Sequence, residues 1–229
     1  MGVCRPAGRP PCWFVVTVIL ASASPRRREL LSLLRVPFDV RPQDVVEDVD
    51  SAREGARLGA KPLIVASRLA RAKAEAARLA DAGPLVLAAD TVVVHEGDIL
   101  GKPRDAEEAR AMLRRLSGAA HTVVTAVAVI PPGQRNALVR HPETAVRIRE
   151  LSDDQIEASI ARGDPFDKAG AYAIQDETLE PVASYEGCYC NVVGLPLWPT
   201  VTLLRRAGLD VTVEAAQLLP QCATCPLAL

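Results

Sequence analysis

The chain has 229 residues, a net charge of −1, and 49% hydrophobic against 24% charged residues, enough for one domain or two small lobes around a proper core. Near-neutral charge leaves no overall field to gather nucleic acid, and 3% aromatic content offers no platform for stacking single-stranded bases. Three scattered histidines exclude a zinc hydrolase built on histidine ligands, and no apolar run is long enough to span a bilayer, so a cytoplasmic protein is expected.

Residues 1–12 are rich in Pro, Gly and Arg and are expected to form a disordered extension. The run from Trp13 to Ala21 is β-branched and reads as a buried strand that opens a single domain over 13–208. With Arg5 and Arg9 before it and Ala21-Ser22-Ala23 after it, the run imitates a secretory signal. Cleavage after Ala23 would sever the strand from its own helix.

That helix starts in Leu20-Ala-Ser-Ala-Ser-Pro-Arg-Arg-Arg-Glu-Leu-Leu31, with Ser24 as N-cap and Pro25 in the first turn. Arg26, Arg27 and Arg28 bring the wrong charge to a helix N-terminus, which favours anions. Either all three lie in solvent, or the missing anion is a ligand such as phosphate, approached closely past small residues such as Ser22. Helical phase puts Arg27 with Leu30, Leu31 and Leu34 on the core side, and Arg28 with Ser32 and Arg35 in solvent.

Phe38–Arg41 suits a short strand, Asp44–Asp48 is an acidic loop, and a strong helix runs from about Pro62 to Ala80. Lys73 sits in that helix's apolar stripe, where it either snorkels outward or reaches a cleft. Leu85–Ala89 reads as a buried strand ending at Asp90, a position that favours ligand chemistry in open α/β sheets. Thr91–His95 continues extended, Glu96-Gly97-Asp98 suggests a hairpin turn, and Gly101-Lys102-Pro103 allows close backbone approach. Asp105 and Glu108 form a capping box for a helix to Ser117-Gly118. Strands follow over His121–Ile130 and Asn136–Leu151, the second bent at Pro142. Ser152 and Gln155 cap a further helix that Gly163 ends.

Asp164–Gln175 mixes charge, glycine and apolar residues without a period, as functional loops do. Val182–Tyr185 and Cys188–Val193 are expected to pair as a hairpin around Glu186-Gly187, which would send Cys188 and Cys190 to opposite faces and away from each other. A last helix covers about Leu197–Ala207, and 209–229 is a tail carrying a lone Cys222-x-x-Cys225. One such pair supports a zinc ribbon only weakly.

The cationic candidates are thus Arg26, Arg27, Lys73, Lys102 and Lys168, and the acidic ones Glu47 and Asp90. Cations for phosphate oxygens, with two carboxylates for a divalent metal or an attacking water, suit a polyphosphate substrate. Neither a P-loop nor a kinase signature set is present.

The stretch from Leu20 to Leu31, Ala88-Ala-Asp-Thr-Val-Val, Gly101-Lys-Pro-Arg-Asp-Ala, Leu116-Ser-Gly with His121, Asp167-Lys-Ala-Gly-Ala-Tyr-Ala-Ile-Gln and Asn191-Val-Val-Gly-Leu-Pro-Leu occur in the order found in the Maf family of nucleoside triphosphate pyrophosphatases. The chain resembles that family from about Val18 to Arg206. The resemblance implies an α/β fold: a long, mixed, twisted sheet with helices on both sides and two lobes around a central cleft, as in inosine triphosphate pyrophosphatases. It implies cleavage between the α and β phosphates, a divalent metal (Mg or Mn), and a homodimer whose partner is a small nucleotide rather than a nucleic acid polymer or a membrane. Carried over by motif, Asp90 is the proton acceptor and shares the metal with Glu47. Ser22, Arg26, Arg27, Lys73, Lys102 and Lys168 bind substrate. Arg26, Thr91 and Gln175 fit the subgroup acting on dTTP and UTP. Asp176, where a glycine is usual, Ala126, and the cysteines depart from the pattern. Alternatives are a non-catalytic nucleotide-binding regulator of cell division or septum formation, and a pyrophosphatase for non-standard purine triphosphates.

Overall fold

A computed structural model describes residues 17–43, 61–80, 83–214 and 218–228. The sequence alternates between one-sided and fully buried strands, and one mixed eight-stranded sheet results, in the order β2-β1-β3-β5-β7-β8, with β4 beside β3 and β6 beside β5. Its strands are β1 (Val18–Leu20), β2 (Phe38–Val40), β3 (Leu85–His95), β4 (Asp98–Leu100), β5 (Ala120–Ile130), β6 (Leu138–Arg140), β7 (Glu143–Ile148) and β8 (Val182–Glu186). The longer helices are α1 (Pro25–Ser32), α2 (Pro62–Ala80), α3 (Ala106–Leu116), α4 (Asp153–Arg162) and α6 (Leu197–Arg206), with short α5 (Tyr189–Val193) and α7 (Pro220–Ala223). No helix among the described residues is long and apolar enough to cross a membrane.

Strand periodicity divides the core. Val18, Leu20, Leu85, Leu87, Val127 and Val129 face a cluster with Leu30, Leu31, Trp198 and Leu204. Their neighbours Ile19, Val86, Ala88, Ala126, Ala128 and Ile130 face the opposite cluster, where Ala66, Ala70, Ala74 and Ala77 of α2 pack. Small residues on both sides of that contact let α2 lie close to the sheet. A third cluster, with Val93, Leu113, Val123, Val146 and Ile156, builds the other lobe.

Several local signals act as expected. Ser24 Oγ accepts from Arg27 N at 3.4 Å, the Ser152/Gln155 capping box is complete, and Gly163 is left-handed at φ 81°. Asp105 caps α3, but Glu108 returns its bond to Arg104 N rather than to Asp105.

The strand expected over Trp13–Ala21 is present as Val18–Leu20, and its residues before 17 lie outside the described ones. Two expectations are corrected. Asp90 is not at a strand end: the extended stretch expected over Thr91–His95 belongs to the same strand, because β5 pairs with β3 from Val86 to Val94. Cys188–Val193 is not a strand. Cys188 is the N-cap residue of α5, so the expected hairpin does not form. Gly187 has φ 128° at that corner, and a Cβ there would meet Thr144 Oγ1 at 2.9 Å. The chain is thereby steered under the sheet instead of back alongside β8.

Candidate active site

The site exists because β3 changes partners along one edge. β5 occupies the other edge throughout. On the free edge β1 pairs with Leu85–Leu87, and β4 pairs with Val93–His95. Between them, 88–92 has no strand partner on that edge among the described residues, since β1 leaves at Ala21 into the Ser22–Ser24 turn. Asp90 and Thr91 lie in this gap. Strand alternation turns Asp90 toward α2 and Thr91 toward α1, yet both border the same opening.

A cavity of about 350 Å³ occupies the gap, a volume within the ordinary range for small-molecule sites. Among the described residues, five cations, Arg26, Arg27, Lys73, Lys102 and Lys168, line it with two carboxylates, Asp90 and Asp167. Ser22, Thr91 and Gln175 also line it. The residues expected from the sequence therefore converge on one place, except Glu47, which lies outside the described residues.

Lys73 does not snorkel. It is buried, and its Nζ donates to Asp90 Oδ1 at 2.6 Å, with both side chains 9% exposed. The neighbours that make this possible are alanines: a larger residue at Ala70 or Ala77, both buried against the sheet, would push α2 away from β3. The bond fixes the orientation of the carboxylate and places a positive charge beside it.

Arg27 is half-buried, and three of its donor groups are engaged by the protein. Nε donates to Gly194 O at 2.9 Å, one terminal nitrogen to Ser22 Oγ at 3.3 Å, and the other to Thr91 Oγ1 at 3.1 Å. It thus holds its charge at a fixed position and ties α1, β3 and the loop after α5 together. Thr91 Oγ1 is also 2.9 Å from Thr125 Oγ1 on β5. Arg28 is exposed, as helical phase requires.

Arg26 crosses the opening and donates to Asp167 Oδ2 at 3.0 Å, and Lys168 Nζ donates to Asp167 Oδ1 at 2.6 Å. Lys168 also donates to Asp164 O. Burial opposes ionisation of Asp167, but the hydrogen bond from Lys168 and the charges of Arg26 and Lys168 outweigh it and hold the carboxyl below its ordinary value. Gly170 N donates to Gly101 O at 3.0 Å, which fastens this loop to the one carrying Lys102. Gly170 is left-handed at φ 72°, and a Cβ there would meet Val93 at 3.1 Å.

Gln175 stands exposed at the rim. Asp176, the departure beside it, turns inward to its own loop: Oδ1 accepts from Thr178 N at 3.0 Å and Leu179 N at 2.9 Å. That turn explains the carboxylate locally and leaves it outside the cavity lining.

Sequence reasoning missed Asp167 as the link between two cations, although its place in the irregular loop was a signal. It also gave Asn191 no role. That residue is fully buried: its Oδ1 accepts from Thr125 N at 3.0 Å, and its Nδ2 donates to Val123 O and Thr144 Oγ1, both at 2.9 Å. β6 and β7 leave Thr125 without a strand partner on their side of β5 because the chain breaks at His141-Pro142, and the Asn191 amide takes the place of the missing strand. On the distal side of the site, His121 Nε2 and Tyr172 Oη are 2.6 Å apart. Burial, with the charge of His95, lowers the His121 pKa to about 4, and burial raises that of Tyr172, so both are neutral at pH 7.

Comparison with known proteins agrees with this arrangement. The family model described as "Maf-like protein" matches residues 17–207. A protein of Thermomicrobium roseum named dTTP/UTP pyrophosphatase is 52% identical over 214 residues, covering 93% of this chain and 94% of its own. Proteins of the same name from Moorella thermoacetica and Geotalea uraniireducens are 50% and 48% identical, covering 85% and 83% of this chain and 96% and 95% of theirs. With the signature stretches gathered around one cation-rich cavity and the match running through nearly the whole described fold, the chain belongs to the Maf family.

Proposed function

We propose that this chain hydrolyses dTTP and UTP to the nucleoside monophosphate and pyrophosphate. The observation that carries the reading is the excess of cations around a single orientated carboxylate, Asp90, at a gap in the sheet edge. The names of the relatives agree with it.

In this mechanism Arg27 and Lys102 bind the phosphates, and Lys73 holds Asp90 in one orientation. Asp90 takes a proton from the water that attacks the α–β phosphoanhydride; the bond to the leaving oxygen breaks and pyrophosphate departs. Arg27, Lys73 and Lys102 are fixed before substrate arrives or sit at the cavity wall, so their charge opposes the negative charge that grows on the phosphates without further reorganisation. Arg26 and Lys168, held by Asp167, border the same opening, and Ser22 and Thr91 keep Arg27 in position. Gln175 reads the pyrimidine edge, because an amide offers both a donor and an acceptor there.

A Mg²⁺ or Mn²⁺ ion fits this donor set. Such an ion is commonly held by one or two carboxylates together with waters and substrate phosphates, not by a full protein cage. Asp90 faces the cavity, where the described residues offer no three-ligand cage. Asp90 would hold the ion, with Glu47 as second carboxylate. When bound, it neutralises charge on phosphate oxygens. A homodimer, a cytoplasmic setting and a house-cleaning role in nucleotide pools belong to the same proposal.

The deciding experiment measures pyrophosphate release with Mg²⁺ across a panel of triphosphates ranked by kcat/KM. dTTP and UTP are expected at the top. Inosine triphosphate or another purine at the top would overturn the reading of Gln175. Binding without turnover on any triphosphate would favour a regulatory protein.

A further inference from the structure

Four cysteines that the sequence separates into two unrelated pairs are brought together by the fold. Cys188 and Cys190 lie at the start of α5; Cys222 is in α7 and Cys225 follows it. All four are free thiols and buried, at 2%, 1%, 2% and 7% exposure, within the core cluster that contains Trp198 and Leu195. Cys190 Sγ and Cys222 Sγ are 3.5 Å apart. The Cys188 thiol interacts with those of Cys190 and Cys225, which links the four sulfurs into one group. The short helix α7 is fastened above them by Trp198 Nε1, which donates to Cys222 O at 3.3 Å.

We propose that these four thiols are the ligands of a single Zn²⁺ ion that ties the C-terminal segment to the core, at a site separate from the nucleotide cavity. Zinc bound by four thiolates is tetrahedral with bonds near 2.3 Å, so its sulfurs stand roughly 3.8 Å apart. The Cys190–Cys222 distance is already close to that edge. No group of three or more described side chains is yet arranged as a cage, so completing the tetrahedron requires side-chain rotation of the remaining thiols. Each Zn–S bond forms as one S–H proton leaves for solvent. Four protons are released per ion, and no electron is transferred.

Three further features favour a metal over chance packing. First, two short-range cysteine pairs come from segments far apart in sequence, as in closed structural zinc sites; Cys222-x-x-Cys225 has the common spacing, and Cys188-x-Cys190 is one residue shorter. Second, backbone N–H groups are directed at the ligands: those of Asn191 and Cys190 at the Cys188 sulfur, and that of Leu227 at the Cys225 sulfur. Thiolate, not thiol, is the metal-binding form. Third, a disulfide between Cys190 and Cys222 would use two of the sulfurs and leave the other two without a purpose. A tetrahedral centre uses all four.

The test is made on the purified full-length protein. Elemental analysis is expected to find one zinc per chain. Titration of reduced, zinc-free protein with Co²⁺ alone is expected to saturate at one equivalent, with sulfur-to-cobalt charge-transfer bands and the visible absorption of tetrahedral cobalt. The double variant Cys222→Ser, Cys225→Ser is expected to retain less than a tenth of the zinc and to lose the thiolate cobalt spectrum. Turnover with Mg²⁺ should persist, because neither residue touches the nucleotide cavity. Absence of both zinc and a thiolate cobalt spectrum in the unsubstituted protein would overturn the proposal even if the variant failed to fold. So would a Cys190–Cys222 disulfide in peptides of the freshly isolated, unreduced protein.

Discussion

Replacing Asp90 with asparagine separates the chemistry of the site from its construction. Asp90 and Lys73 pair at 2.6 Å with both side chains 9% exposed. Removing one member of such a buried pair outright costs roughly 3–5 kcal/mol, because the other charge is left uncompensated. In Asp90→Asn the new amide retains an oxygen to accept from Lys73 Nζ, so about 2 kcal/mol of that loss should remain. For a domain of this size that corresponds to a fall of about 4–8 °C in Tm. The same change removes the proton acceptor, and a positioned general base is worth about 10²–10⁴ in rate. A fall in kcat of about 10³-fold, roughly 4 kcal/mol in activation free energy, is expected. KM for dTTP should stay within a few-fold, since the cations that bind phosphate are untouched. Pyrophosphate release at saturating dTTP and Mg²⁺, with thermal unfolding in parallel, measures both terms. A variant that keeps kcat within tenfold of the parent would refute the role of Asp90, and an unchanged Tm would refute the account of the buried pair.

Asp167→Asn should release Arg26 and Lys168 from their shared carboxylate and raise KM by about tenfold, the cost of losing a charge-assisted hydrogen bond. In the parent protein the Asp167 carboxyl is held below its ordinary value of 3.8. The stability this contributes is fully present above that value and is lost as pH falls through the lower folded pKa; a carboxyl titration followed by NMR checks it. His121 behaves in the opposite chemical sense but with the same direction in pH. Its folded pKa is about 4 against 6.5 when free, so the unfolded chain binds the extra proton and stability falls as pH drops from 6.5 toward 4. The loss amounts to roughly 3 kcal/mol. His121→Phe should flatten the denaturation midpoint across that range, and an unchanged slope would contradict the burial argument. Gly194→Ala introduces a side chain at φ 123°, with its Cβ 3.4 Å from Thr91 Oγ1 and 3.6 Å from Arg27 Nε. Those contacts are ordinary, but the positive φ strains any side chain there, and relief of that strain shifts the Gly194 carbonyl that accepts from Arg27 Nε; kcat/KM should fall about 10²-fold with less effect on Tm, as enzyme kinetics and calorimetry together would reveal.

Some of this protein is written locally. The caps at Ser24 and Ser152, the glycine at 163, the long helix from Pro62 and the alternating strands all depend on neighbours within a few residues, and these formed where the pattern put them. The arginines at the start of α1 could be divided by phase alone, because α1 buries only the Leu30, Leu31 and Leu34 side. The signature stretches likewise identified the side chains that meet in the cavity. What the sequence could not provide was the pairing along each sheet edge, since hydrogen bonds between strands join residues distant in the chain. That pairing leaves the gap at Asp90, settles the choice for Lys73 in favour of the cleft, and makes Asn191 a substitute for a missing strand. It also turns Cys188–Val193 from an expected strand into a helix. The sequence had sent Cys188 and Cys190 to opposite faces; only the corner at Gly187, closed against Thr144 across the sheet, brings them to Cys222 and Cys225.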